Sequence, residues 1–172
     1  TESWGHGQRF GIEPMVHGRV FWYATVNAQE GQLGNQSEWK GELREKFKEW
    51  PSHVLEVIEA TEPEAILKHE IVDRHPVRRW GKGRVTLLGD AAHPTTPNLG
   101  QGACLAIEDA LILAQCLARE VEIETRLREY EARRFKRTAF ITRESRRTGR
   151  IGQIENNLTV ALRSIWLKML PS

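Results

Sequence analysis

Apolar residues along this chain first alternate with polar ones and then take up helical spacing, and that switch divides it. From Arg9 to Asn27, Phe10 and Ile12 alternate with polar neighbours, a turn is expected at His17-Gly18, and Val20-Phe21-Trp22-Tyr23-Ala24-Thr25-Val26 is aromatic and β-branched. Such a run suits a half-buried pleated surface, so the segment predicts a β-hairpin. Gln29 to Gly34 is polar and glycine-rich and predicts a loop. Ser37 is the expected N-cap of a helix carrying Trp39, Leu43, Phe47 and Trp50. Pro51 suits the first turn of a second, short helix with Val54, Leu55 and Ile58, which ends before Pro63. Ala65 to Asp73 regains strand character.

After Pro76 and Trp80, Gly81-Lys82-Gly83 predicts a turn, and Arg84-Val85-Thr86-Leu87-Leu88 a short strand that stops at Gly89-Asp90. The small residues, prolines and hydroxyls from Ala91 to Asn98 continue neither element and predict a loop. Gly100-Gln101-Gly102 then opens a helix whose broad apolar face is Leu105, Ala106, Ala110, Leu113, Ala114 and Leu117. From Glu124 a long charged helix is expected to brace it, with Glu129 and Arg133 as an internal ion pair. Leu158, Leu162, Ile165, Trp166 and Met169 mark one face of a final amphipathic helix, read from Leu158 to Leu170 and expected to pack into the core rather than on a membrane.

Composition narrows the class. The 172 residues suffice for one compact domain or two packed halves, and 40% apolar with 28% charged residues is ordinary globular chemistry. Twenty-five basic against twenty-three acidic side chains leave a net charge of +2, too little to steer nucleic acid or membrane by charge alone. Cys104 and Cys116 lie twelve residues apart on one expected helix, roughly 18 Å at 1.5 Å per residue. They cannot bridge, which points to a reduced, cytoplasmic setting. No apolar run approaches the ~20 residues that span a bilayer. The chain opens at Thr1 without Met, basic n-region or apolar h-region, so it reads as a fragment without a signal peptide.

The chemistry concentrates between Gly83 and Ala110. A strand ending in Asp90 would set a carboxylate in the crevice at the carboxyl end of a sheet, where α/β proteins bind ligands and where it could grip sugar hydroxyls. The glycines let backbone N–H groups approach a ligand, and a helix N-terminus favours anionic groups. Taken alone, Gly89-Asp90 could equally be a capped tight turn. His93 with Asp90 lacks a third ligand at suitable spacing, so no metal site is expected. Cys104 near a helix N-terminus, with Gln101 and His93 nearby, also admits a cysteine hydrolase, although a small buried cysteine is the commoner outcome. The basic cluster Arg133, Arg134, Lys136, Arg137, Arg143, Arg146, Arg147 and Arg150 carries no recognition motif and reads as a solvated helix, with no nucleic-acid partner.

At these residues the chain resembles the class A FAD-dependent monooxygenases, the aromatic hydroxylase family, and in particular its urate hydroxylase and zeaxanthin epoxidase branch. Gly89-Asp90-Ala91-Ala92-His93, Pro97-Asn98-Leu99-Gly100-Gln101-Gly102 and Ile107-Glu108-Asp109-Ala110 resemble the family's second FAD signature. Asp73-Arg74, Trp80-Gly81, Tyr130-Glu131, Arg133-Arg134 and Ser145-Arg146 fit the same branch, and Arg9 to Ala24 resembles the sheet that covers the substrate.

The resemblance implies an α/β protein: a partial three-layer FAD-binding fold with a β-sheet substrate layer and C-terminal helices. It divides the chain into a β-rich substrate-covering part (1–76), the C-terminal part of the FAD-binding domain (77–150) and a C-terminal amphipathic helix (151–172). Gly89, Asp90, Pro97, Gly100, Gln101, Gly102, Ala103 and Cys104 would bind FAD, with Asp90 on the ribityl chain and the loop up to Cys104 along the flavin ring. Some relatives carry Asn at the position of Cys104. Arg9, Phe21 and Tyr23 are candidate substrate contacts. NADH or NADPH would reduce the FAD, dioxygen would react with the reduced flavin, and one oxygen atom would pass to an electron-rich ring or double bond of a small molecule. No side chain is needed as nucleophile, so no catalytic residue is assigned. The glycine fingerprint for the ADP part of FAD is missing, since Gly5-His6-Gly7 with Gly11 has the wrong spacing. Weak or absent FAD binding by this polypeptide alone is therefore expected, and a noncatalytic scaffold of the same fold is the alternative.

Overall fold

The alternation of residues 9–27 resolves into the predicted hairpin, to which a short strand is added. In the computed structural model, which describes residues 1–169, β1 (Glu2–Trp4), β2 (Gln8–Pro14) and β3 (Val20–Val26) form an antiparallel sheet in the order β1-β2-β3. Arg9 pairs with Thr25, Gly11 with Tyr23 and Glu13 with Phe21, so Arg9, Phe21, Tyr23 and Thr25 share one face. The tight reversal Val16–Gly18 holds His17 at φ 60° and Gly18 at φ 68°. The opposite face carries Phe10, Ile12, Trp22, Ala24 and Val26, which pack on α1 (Gln36–Phe47) and α2 (Ser52–Ala60) through Phe47, Val54 and Ile58. The Trp22 indole also donates to Thr61 Oγ1 at 2.9 Å. The N-cap of α1 is Asn35 rather than Ser37, and Trp50 lies past the end of that helix while still packing edge-on against Phe47.

Residues 65–73 form no strand. Pro63–Ala65 is a 3-10 turn, and the stretch after it finds no ladder partner among the described residues. Backbone β-propensity yields a strand only where a neighbour takes up its N–H and C=O groups. Here side chains anchor the segment instead, with Lys68 on Glu42 (2.8 Å) and Glu70 accepting the Gly31 N–H.

Contact density divides the chain into two units: residues 1–70 with the described part of 152–172, and residues 71–151. The last helix, α5 (Asn157–Met169), thus belongs to the first unit. Its predicted apolar face is turned outward: Leu158, Leu162, Ile165, Trp166 and Met169 are all exposed, whereas Val160 and Arg163 are buried. The expectation of core packing for that face is corrected here, and Leu170 lies outside the described residues. The reason is Arg163, which donates to the carbonyls of Gly152 (2.9 Å) and Gly5 (2.7 Å) and lies over the Trp4 ring. Those bonds hold the cationic side of α5 inward.

In the second unit, α3 (Gly102–Leu117) packs against α4, a helix running from Ile123 to Gly152. Leu105, Asp109 and Cys116 are buried, while Ala110, Ala114 and Leu117 of the expected apolar face are exposed. Residues 84–88 are extended but unpaired, with only an isolated bridge between Lys82 and Val85. Side chains of α4 take the groups a neighbouring strand would use: Arg128 donates to the carbonyls of Gly81 and Val85, and Glu131 accepts from the Thr86 hydroxyl (2.6 Å). Helix α4 is also not simply solvated. Arg134 is buried, Arg137 pairs with Glu108 and Arg146 with Asp73, while Glu129 pairs with Arg119 rather than with Arg133. No helix of the described residues is long and apolar enough to cross a membrane.

Candidate functional site

The loop between residues 88 and 102 is built by three reversals, each placed by a residue type the backbone demands. Gly89 adopts φ 57° and starts a 3-10 turn through Ala91, in which Gly89 O accepts from the N–H groups of Ala92 and His93, each at 2.9 Å. A second 3-10 turn, Pro97–Leu99, ends at Gly100, whose φ of 62° is the left-handed conformation that a glycine takes without strain. Gln101 precedes α3 without a side-chain cap, so the first N–H groups of the helix, beginning at Gly102, have no capping partner from that residue.

Around this opening the side chains fall into two sets, one committed to the protein and one not. Asn98 donates to Thr96 Oγ1 (2.8 Å) and Ser145 O (3.0 Å), and Ser145 Oγ donates to Thr96 O (2.6 Å). A methyl group at Gly149 would collide with the Asn98 amide, so this glycine of α4 leaves the space that seats the loop. Arg74 donates to the carbonyls of Ala91 and Ala92. By contrast, Asp90 is exposed and makes no hydrogen bond or ion pair with the described residues. A Cβ on Gly102 would sit 3.9 Å from Asp90 Oδ1 and 3.7 Å from Thr95 Cγ2. The Thr95 hydroxyl is buried without a partner. A free carboxylate, an orphaned hydroxyl and an uncapped helix end thus converge on one glycine.

Behind the loop lies a buried ionic cluster. Asp109 is fully buried; its Oδ2 accepts from Gly89 N–H (2.8 Å) and His93 Nε2 (2.6 Å), and its Oδ1 accepts from Arg134 Nε (2.6 Å). Trp80 packs on both His93 and Tyr130, with ring centroids 5.1 and 5.6 Å away. Burial alone would raise the Asp109 carboxyl, but the bonds from His93, Gly89 and Arg134 outweigh it and hold it at about 2. Burial, followed by the Asp109 charge, pushes the Tyr130 phenol up. The sign of the acid response follows. A carboxyl held below its ordinary 3.8 stabilises the folded state above that pH and loses its contribution as pH falls towards 2. We expect roughly 2 kcal/mol of stability to disappear between pH 4 and pH 2, a loss absent from Asp109→Asn. Urea midpoints of both proteins across that range check it, and parallel curves would refute it.

The structure gathers Gly89, Asp90, Gly100, Gln101 and Gly102 into one loop, with Pro97 on its exposed rim and Ala103 and Cys104 exposed on the first turn of α3. Both cysteines are free. The Nε2 that a cysteine hydrolase would need on His93 is taken by Asp109. Arg9, Phe21 and Tyr23 belong to the other unit. Arg9 is buried among Glu2, Thr25 and Gln153, Phe21 is half exposed, and Tyr23 lies flat against Gly11. Sequence reasoning missed the roles of Thr95 and Asp109. The signal for Asp109 was present: Leu105, Asp109, Ile112 and Cys116 recur at spacings of four, three and four, which puts an acid on the buried stripe of a helix.

Comparison with known proteins gives this arrangement its context. The family described as FAD binding domain matches residues 5–145. Aurachin C monooxygenase/isomerase of Stigmatella aurantiaca is 43% identical over the whole chain, which spans 45% of that protein. Zeaxanthin epoxidase of Nicotiana plumbaginifolia is 42% identical over 147 residues, 80% of this chain and 22% of the relative. The crystal structure of Klebsiella pneumoniae HpxO complexed with FAD and uric acid superposes with a TM-score of 0.87 at 32% identity, over 95% of this chain and 42% of that one. The chain therefore spans less than half the length of these relatives. The residues present suit FAD: the Gly102 cradle leaves room for a bulky group, the free Asp90 carboxylate can accept from hydroxyls, and the orphaned Thr95 hydroxyl awaits a polar partner. With 141 matched residues and a full-length match to a monooxygenase, this chain belongs to the FAD-binding family of class A flavoprotein monooxygenases.

Proposed function

We propose that this chain supplies the flavin-ring side of an FAD-dependent monooxygenase that uses NAD(P)H and dioxygen to hydroxylate or epoxidise a small ring-bearing molecule. The observation that carries the reading is the free Asp90 carboxylate facing the Gly102 cradle at the start of α3. FAD, when bound, supplies electron storage and the activation of dioxygen. The protein's part is to place it. Asp90 accepts hydrogen bonds from ribityl hydroxyls, Thr95 satisfies its buried hydroxyl on the same ligand, and the N–H groups at Gly102, Ala103 and Cys104 face the ring edge where negative charge develops on reduction. Pro97, Gly100 and Gln101 fix the loop that delivers them.

The residues that would hold the ADP part of FAD are not among these 172, and the relatives are more than twice as long, so the remainder of the site comes from outside the given sequence. Phe21 and Tyr23, on one face of the β-sheet with ring centroids 6.1 Å apart, offer an apolar wall to the substrate. Arg9, on the same face and tied to Glu2 and Thr25, anchors that wall from within. A reduced cytoplasmic setting is supported by the two free cysteines.

The test is an FAD titration by flavin fluorescence, on this chain alone and complemented with the portion of the Stigmatella relative outside the match. Saturable binding in the complemented sample, weakened at least tenfold by Asp90→Ala, is the expected result. Failure of FAD to bind a folded, complemented chain overturns the reading in favour of a noncatalytic scaffold.

A further inference from the structure

Asp90 has no protein partner among the described residues, so nothing but its own backbone fixes where its carboxylate points. That backbone is held at both ends by a single atom. Asp109 Oδ2 accepts from the N–H of Gly89, immediately before Asp90, and from the imidazole of His93, three residues after it. The two bonds close a ring around the five residues 89–93, whose interior is already cross-linked by the bonds from Ala92 and His93 to Gly89 O. Neither arm is free to swing. His93 is wedged against the Trp80 ring, and the other oxygen of Asp109 is fixed by the buried Arg134.

The second observation is where Asp109 stands. It lies seven residues into the helix that begins at Gly102, about 10 Å along a rigid rod. The N-terminus of that same rod faces Asp90 across the Gly102 cradle. One helix therefore presents the N–H groups to the ligand and, two turns later, grips the loop that presents the carboxylate. The two halves of the half-site are tied to one frame, and the tie is the Asp109 carboxylate.

We propose that Asp109 is a positioning residue: through Gly89 and His93 it sets the Asp90 carboxylate at a fixed distance from the N-terminus of α3, and flavin affinity depends on it although it touches no ligand. The proposal rests on the flavin reading for its consequence and on the bonds to Gly89 and His93 for its mechanism, and the two are tested separately.

Asp109→Asn keeps the shape of the side chain and one acceptor. We expect the Gly89 amide to exchange with solvent at least tenfold faster, read by NMR, and FAD affinity of the complemented chain to fall about tenfold. In an Asp90→Ala background the same substitution changes affinity less than twofold, because the group it positions is gone. Arg134→Lys lowers the thermal midpoint while leaving Gly89 protection and FAD affinity within twofold. If Asp109→Asn does not fold by circular dichroism, His93→Gln replaces it, releases only the second arm, and is expected to weaken FAD binding about threefold only when Asp90 is present. Equal losses with and without Asp90, or unchanged Gly89 exchange, overturn the proposal. Should FAD fail to bind the unsubstituted complemented chain, the monooxygenase reading falls, and the Gly89 exchange rate still decides whether Asp109 holds the loop.

Discussion

Arg134→Ala destabilises residues 71–151 by about 3 kcal/mol at pH 7, the cost of stranding a buried carboxylate. Arg134 is the only cation on Asp109 Oδ1 among the described contacts, and it reaches that oxygen from a position itself only 5% exposed. It also donates to Leu105 O and pairs with Glu108 at 2.8 Å, so its removal leaves a buried carbonyl and a partly buried acid without their donor. His93 and the Gly89 amide remain on Oδ2, which keeps the loss nearer the lower end of what breaking a buried ion pair usually costs. Urea unfolding followed by far-UV circular dichroism measures it. A loss below about 1 kcal/mol would mean that Oδ2 alone satisfies the carboxylate.

Phe10→Ala is expected to cost about 3 to 5 kcal/mol in the other unit, because a cavity opens where three rings meet. Phe10 is 1% exposed, stacks on Trp22 with centroids 5.3 Å apart and 8° between planes, and receives the edge of Phe47 at 5.2 Å. Such pairs contribute beyond the area they bury, and Phe47 in turn packs edge-on against Trp50. The double variant with Phe47→Ala should lose less than the two single losses together, since both empty one space. Amide exchange across β2 and β3 reads the loss directly, and full additivity would show that the rings act independently.

Elements with an internal source of order were legible in the sequence. The hairpin follows from alternation closed by a glycine turn, and each helix from its period, because helical hydrogen bonds stay within the segment. The strands expected at 65–73 and 84–88 failed for the complementary reason: a strand depends on a partner that its own residues do not name. The outward stripe of α5 has a related cause. Periodicity reveals that one side of a helix is apolar, but the side that docks was chosen by Arg163 reaching two carbonyls, one of them more than 150 positions away. At the site, Asp90 and the glycines were readable because loop chemistry restricts which residues can stand there. Thr95 was not, since an unsatisfied hydroxyl is a property of surroundings rather than of spacing.

The glycine at position 149 carries a lesson for anyone engineering this protein. Glycine inside a helix is a standard target for replacement by alanine, worth up to ~1 kcal/mol of helix propensity. Here the empty side of that residue is where the Asn98 amide sits as it ties the loop to Thr96 and Ser145. A thermostabilised variant made by that rule would trade a firmer helix for a dislodged cofactor loop, and a melting curve would score the damage as progress.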